Sequence, residues 1–327
     1  MTSERPTLRS LAEITGLAVS TVSQALRDSP DIAEDTRARV KLAAQQAGYL
    51  PNRAGVRLRT GKTNVVSLIL NTEGSAYGLV EQLVFGLSES LNGTGYHLVV
   101  TPYMLSDSMA PIRYVVDTRS ADGVIIARTQ PDDPRVRYLI ENNMPFATHG
   151  RTSVGTEHAY VDFDNAAFAY KAVGLLAARG RKRIGLLRPP AGLSFYYHTL
   201  EGFSLGLRER GLDEYPLGDI DIDSKIDEVK QRALALAREP NRPDGFVSSS
   251  ELMTMTMISA LEEAGLKLGS DFDVVTKQYS DFMRWFRPEL ILIHESHRET
   301  GKELGRTLLA AINGEAAQSL QVLLQPE

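Results

Sequence analysis

The stretch GFSLG (residues 202–206) has the G-x-S-x-G spacing that lifts a nucleophilic serine out of a sharp strand-to-helix turn. HESH (294–297) places two imidazoles around a carboxylate, ligand types that suit transition metals. DIDID (219–223) alternates carboxylates as a calcium loop does. Their surroundings complete none of the three. Ser204 falls inside a helical pattern, 200–210, with no sharp turn. No third ligand converging on His294 and His297 is evident, and the stretch straddles a strand end and a helix start, so both read as loop histidines. The glycine and glutamate that would finish a calcium loop do not follow DIDID. The chain also lacks a P-loop and a G-x-G-x-x-G. The reading is a non-enzyme with no metal and no cofactor, and hydrolysis through Ser204 stands as the enzymatic alternative.

A fourth stretch does different chemistry. GLAVSTVSQALRDSP (16–30) opens on glycine and carries small and hydroxylated residues, with an amide in place of a charge. Thr7 is placed to cap a helix over 8–15, with Leu8, Leu11 and Ala12 on one face and Gly16 as its stop. A second helix over 19–26 turns Val22, Ala25 and Leu26 inward, and a third over 34–48 carries Val40, Leu42, Ala43 and Ala47. Helix, tight glycine turn and helix make a helix-turn-helix pattern, whose second helix enters the DNA major groove. Val19, Ser20, Ser23 and Gln24 then face the bases. Small residues permit close approach, Val19 packs on a thymine methyl, and Gln24 has the bidentate geometry for adenine. The hydroxyls of Thr21 and Ser23 suit phosphate oxygens. A three-helix cap or dimerisation bundle is the plain alternative.

Charge distribution agrees with a polyanion partner. The 327-residue chain has a net charge of −5, yet residues 1–62 hold 10 Lys/Arg against 6 Asp/Glu. A small basic head therefore precedes an acidic body. There is no cysteine, so disulfides and thiolate metal sites are excluded. The N-terminal residues lack the apolar core of a secretion signal, and a cytoplasmic protein is expected.

Residues 51–62, PNRAGVRLRTGK, are polar and basic and read as a linker between a head over 1–50 and a body over 63–327. Beyond Val65 the texture changes. Short β-rich runs (65–70, 96–100, 123–127, 183–187, 245–249, 272–276 and 290–294) alternate with helical segments (79–91, 134–142, 165–179, 200–210, 252–264 and 298–312). That alternation predicts parallel sheets covered by helices, in two similar blocks, about 65–160 and 162–290. A ligand then lies between the lobes, at the carboxyl ends of the strands.

The head resembles the DNA-binding domain of the LacI/GalR family of bacterial repressors through STVSxxL in its second helix, EDTRARV opening the third, GYxPN after it and LRTGKT before the first body strand. The body resembles that family's periplasmic-binding-protein-like effector domain. The resemblance implies a small all-α helix-turn-helix head on an α/β two-lobed body. It implies base reading by Val19, Ser20 and Gln24, and phosphate contacts by Thr7, Thr21, Ser23, Thr36 and Tyr49. The family often has arginine where Gln24 stands, so the usual half-site sequence is not expected. The linker is too short for a stable isolated helix, and Gly55 weakens it further. By resemblance it folds on the operator, where Leu58 wedges into the minor groove with Asn52, Arg53 and Arg57 near the backbone.

Candidate ligand contacts follow the strands: Tyr77, Arg128 and His149 from the first lobe, and Tyr197, Thr199, Ser249, Glu251, Gln278 and Glu295 from the second. Hydroxyls, amides, carboxylates and rings suit a neutral polyol. Thr199 replaces an arginine common in the family, and Gln278 and His149 replace aspartates. The grip therefore differs from the family's commonest one, with Arg128 and Tyr196 or Tyr197 compensating. The reading is a dimeric repressor of duplex operator DNA, controlled by a disaccharide or glycoside. Its alternative is a sugar-binding protein without a regulatory role. No heptad tail follows the body, so a dimer is expected rather than a tail-linked tetramer.

Overall fold

Gly16 ends the first helix at φ +68°, a left-handed conformation that suits glycine, and its N–H bonds back to Ala12. The computed structural model describes residues 6–50, 53–71 and 79–327, in two units, Met1–Thr63 and Asn64–Glu327. The unit boundary falls one residue past the expected end of the linker.

The first unit holds α1 (Leu8–Thr15), α2 (Val19–Ala25), α3 (Glu34–Ala47) and α4 (Arg53–Thr60). Thr7 and Ser10 form a reciprocal capping box on α1, with Ser10 N–H 3.1 Å from Thr7 Oγ1 and Thr7 N–H 2.7 Å from Ser10 Oγ. Leu11, Val22, Ala25, Val40, Ala43 and Ala44 make the core of the three-helix bundle. Each large apolar side chain buried there contributes about 2 kcal/mol. Leu42, which the sequence pattern places among the apolar positions of α3, is 55% exposed. The linker is helical over α4 rather than an irregular tether. Leu58 stands 89% exposed on it.

The second unit runs β1 (Val65–Asn71), α5 (Leu79–Leu91), β2 (His97–Tyr103), α6 (Ala110–Thr118), β3 (Gly123–Ala127), α7 (Pro134–Glu141), β4 (Phe146–His149) and β5 (Tyr160–Phe163). It then builds α8 (Asn165–Ala178), β6 (Arg183–Leu187), α9 (Ser194–Arg210), β7 (Asp213–Glu214), α10 (Ile226–Ala237), β8 (Gly245–Ser248), α11 (Glu251–Glu263), β9 (Asp273–Gln278), α12 (Met283–Phe286) and β10 (Ile291–His294). Finally it returns through α13 (His297–Ile312) and β11 (Gln321–Leu324). The sheets have strand orders β11-β5-β4-β3-β1-β2 and β10-β9-β8-β6-β7, and every pair of strands is parallel.

The central strands of each sheet, β1 and β3 in one and β6, β8 and β9 in the other, are buried on both faces, which is why they read as continuous apolar runs. In β1, Val66 and Leu68 pack under α5 and α13, while Ile69 points to the opposite face with Ile112 and Leu139. In β8, Val247 meets Phe168 and Phe203, while Phe246 meets Met257 and Phe272. The two-block expectation needs correction. The first lobe is not one contiguous segment, because α13 packs against α5 and β11 supplies an edge strand beside β5. That helix contact is close. A Cβ on Gly86 would lie 2.0 Å from the Arg298 carbonyl, and one on Gly301 would lie 2.2 Å from that of Leu83. Only glycine fits at such a crossing.

Candidate functional site

Val22 and Ala25 anchor α2 in the bundle core, and the other face of the helix is turned outward. Val19 is 43% exposed, Ser20 is exposed, and Thr21, Ser23 and Gln24 are half-buried. The small residues named from the sequence thus share one accessible surface. Thr7 already serves as the cap of α1. Thr36 sits half-buried in the first turn of α3, and Tyr49 half-buried just past Gly48, its N–H on the Ala44 carbonyl at 2.9 Å. Arg57 and Leu58 are exposed on α4, which begins at Arg53; Asn52 lies outside the described residues.

In the second unit a cavity of about 170 Å³ opens at the carboxyl ends of the strands of both sheets. Arg128, His149, Ser249 and Glu295, all named from the sequence, line it. Four others named from the sequence are not on its lining. The Glu251 carboxylate accepts from the N–H groups of Tyr279 and Ser280, both at 2.9 Å, and from Ser280 Oγ at 2.7 Å, so it braces a loop. Thr199 Oγ1 donates to the Phe195 carbonyl one turn back in α9, at 2.7 Å. Gln278 Nε2 donates to the Ser280 carbonyl at 3.2 Å. Tyr197 is 52% exposed and borders a separate shallow groove with His198 and Arg151. Tyr77 lies outside the described residues.

Sequence reasoning missed the groups that organise the cavity floor. Lys277 Nζ lies 2.7 Å from Glu295 Oε2 and 2.7 Å from Asn165 Oδ1, and 4.3 Å from the centroid of the Phe163 ring. Lysine in a β-strand carried no signal of such a role. Burial opposes ionisation of Glu295, but Lys277, His297 and His149 outweigh it and bring its pKa down to about 2. His297 is not a loop residue. It opens α13 at 3% exposure, its ring nitrogens lack hydrogen-bond partners among the described residues, and burial lowers its pKa to about 4. Burial likewise depresses His149. Both imidazoles are therefore neutral at pH 7. Burial pushes the Tyr279 phenol up to about 12, keeping it protonated.

Every other charged side chain on the wall is paired. Arg128 binds Asp223 of the opposite lobe, and Asp162 lies 2.6 Å from Arg151. Asp223 closes the DIDID stretch, which therefore serves as a clasp between the lobes. A second link is the Ser194 N–H, 2.7 Å from the Thr129 carbonyl. The loop carrying Arg128 is itself braced from below. Arg135 Nη2 donates to the carbonyls of Ala127 and Arg128, at 3.2 and 2.9 Å, while its guanidinium grips the fully buried Asp133.

GFSLG is explained by packing. A Cβ on Gly202 would lie 1.9 Å from the Ala166 carbonyl of α8, and one on Gly206 would lie 3.0 Å from Val173. The glycines let α8 and α9 touch, and Ser204 stands exposed on the other side of α9. No strand-to-helix turn surrounds it.

Comparison with known proteins agrees with both units. Residues 7–52 match the model of the bacterial regulatory proteins of the lacI family, and residues 173–327 match a periplasmic binding protein-like domain. The chain is 31% identical to the HTH-type transcriptional regulator AglR of Rhizobium meliloti, over 98% of its own length and 92% of that protein. It is 29% identical to RafR of Escherichia coli, over 98% and 96%. The fold superposes on the lac repressor dimer bound to operator and the anti-inducer ONPF with a TM-score of 0.85, at 20% identity, covering 99% of this chain and 97% of that one. It superposes on the transcriptional regulator CelR in complex with cellobiose with a TM-score of 0.70, at 24% identity, covering 99% and 98%. Among the described residues no helix is long and apolar enough to cross a membrane. With a helix-turn-helix head and a two-lobed body, and with full-length similarity to named HTH-type regulators, the chain belongs to the lacI family of DNA-binding bacterial transcriptional regulators.

Proposed function

We propose that the protein is a dimeric repressor whose hold on a near-palindromic operator is set by an uncharged sugar, a disaccharide or glycoside, in the cleft between its lobes. The observation that carries this reading is the charge balance of the cavity. Arg128, Asp162, Asp223, Lys277 and Glu295 are all neutralised by partners, and both histidines are neutral. A ligand with a net charge would find no uncompensated counter-charge there among the described residues, and its desolvation would be unrelieved by them. Hydroxyls would find Ser249 Oγ and the His297 nitrogens, which lack hydrogen-bond partners among the described residues, and a sugar face would find Phe163, Phe195 and Tyr279. The cellobiose in the CelR complex supports the same ligand class.

Dimerisation places two heads on two half-sites. Sugar binding changes the relation of the lobes and shifts α4 between folded and unfolded populations. A thermal-shift screen of neutral disaccharides, glycosides and sugar phosphates tests the ligand class, because a ligand that prefers the folded state raises its stability. A neutral sugar should raise the melting temperature and alter operator affinity. Stabilisation by sugar phosphates alone would overturn the reading. DNA affinity should fall linearly in log K with log salt; a salt-independent interaction would point instead to a sugar-binding protein without regulatory role.

A further inference from the structure

The cavity floor also brings together side chains of a second donor chemistry. One ligand atom from each of His149, Glu295 and His297 lies within 4.8 Å of the others. His149 comes from the end of β4, Glu295 from the crossover after β10, and His297 from the start of α13. His297 and Glu295 are 3% and 5% exposed, and neither ring nitrogen of His297 has a hydrogen-bond partner among the described residues. A buried imidazole with two unmet nitrogens normally costs the fold free energy. A metal ion that takes the lone pair of one of these nitrogens would relieve part of that cost.

We infer that His149, Glu295 and His297 form a binding site for a borderline divalent transition metal, zinc or cobalt, on the floor of the cleft. Two imidazoles and one carboxylate are a donor set of such ions, and a fourth position is left facing the cavity. Calcium and magnesium prefer all-oxygen shells and do not suit it. An ion about 2 Å from each donor draws the three atoms about an ångström closer together, which side-chain rotation supplies.

Lys277 sets the strength of the site. Its ammonium holds Glu295 Oε2 at 2.7 Å, while Oε1 faces His297 Nδ1 at 3.8 Å. One carboxylate oxygen is thus occupied and the other is turned toward the imidazole. A cation entering beside the ammonium is repelled by it in a poorly screened interior. Metal binding therefore displaces Lys277 from Glu295 or brings an anionic fourth ligand with it. This inference does not rest on the sugar reading, since it needs only these side chains and no sugar.

The test is titration of the metal-free full-length protein with Co²⁺, followed by visible d–d absorption, and with Zn²⁺, followed by thermal shift, both without sugar. Saturable one-to-one binding with cobalt absorption of a low-coordinate nitrogen and oxygen site is expected, displaced by Zn²⁺. His297→Phe and His149→Asn should each weaken Co²⁺ about a hundredfold, at least the factor that loss of a supporting group costs. His97→Gln, on the exposed strand β2, should leave it unchanged. Lys277→Met should tighten binding about tenfold by removing the competing cation, a result that a purely structural role for Lys277 would not give. Absence of cobalt absorption in the wild type, or equal binding by the His297→Phe and His149→Asn variants, overturns the site. A sugar response that persists in either of those outcomes leaves the proposed function standing.

Discussion

Arg128 of the first lobe and Asp223 of the second hold one another across the mouth of the cleft. Arg128 Nη1 lies 3.4 Å from Asp223 Oδ1, and Nη2 bonds to Oδ2. Arg128 sits at φ +54°, a backbone region that side chains other than glycine seldom occupy. The loop is therefore held in an unusual conformation that aims the guanidinium at the other lobe. Both side chains remain about a quarter exposed, so the pair contributes about 1 kcal/mol to closure. Arg128→Ala should weaken effector binding about fivefold, and Asp223→Ala added to it should cost little more. Calorimetric titration of the double-mutant cycle measures the coupling; strictly additive losses would show that the clasp has no role in closure.

Beneath that loop, the buried Asp133–Arg135 pair makes stability depend on pH. Burial pushes the Asp133 carboxyl up, but the Arg135 guanidinium and the N–H groups of Gln130 and Arg135 outweigh it and hold the pKa below 3.8. The contribution of Asp133 is therefore fully present above about pH 4 and is lost as pH falls through its folded-state value. Asp133→Asn should destabilise the body by about 3 kcal/mol at pH 7, because the guanidinium loses its buried counter-charge. Urea unfolding at pH 7 and pH 3 should show that gap narrowing in acid. A gap that widens toward low pH would contradict the assignment.

Ser204 and Gly202 separate a packing motif from a catalytic one. Gly202→Ala should cost about 3 kcal/mol or prevent folding, since the new methyl meets the Ala166 backbone. Ser204→Ala, on the exposed side of α9, should change stability by less than about 0.5 kcal/mol and leave operator binding intact. Esterase activity in the wild type that disappears in Ser204→Ala would revive the hydrolase reading.

On DNA, Leu58→Ala should weaken specific operator binding far more than non-specific binding, and should leave the folded stability of the chain unchanged because Leu58 is solvent-exposed. Gln24→Ala should cost about 1–3 kcal/mol at a single base pair while preserving discrimination elsewhere. Competition binding against operators varied one position at a time checks both. Equal losses on specific and random duplexes would remove the wedge.

The head was legible in the sequence nearly to the residue, because glycine stops and helical spacing are local signals. Helix α1 begins at Leu8 and ends at Thr15 as its pattern predicts, and α2 and α3 differ only at their last residues. In the body, most of the long elements showed themselves in the same way. The short strands β4, β5, β7 and β11 and the helices α6 and α10 did not. The cavity was only half legible. Residues named for following a strand include Arg128 and Ser249, which reach it, and Glu251 and Gln278, which turn away to bind the 279–280 loop. Lys277 and Asn165, 112 residues apart, meet only because β9 lies beside the start of α8. His149 and His297 are likewise joined by the fold alone, which is why HESH looked incomplete on its own.

The return of the chain to the first lobe through α13 and β11 has a consequence for biosynthesis. The second lobe occupies one unbroken stretch and can close as soon as β10 has left the ribosome. The first lobe cannot, since an edge strand and a covering helix are translated after β10. A nascent protein paused once β10 had emerged would carry a finished half beside a sheet with one apolar face covered by α5 alone, and at that point chaperone capture would be strongest.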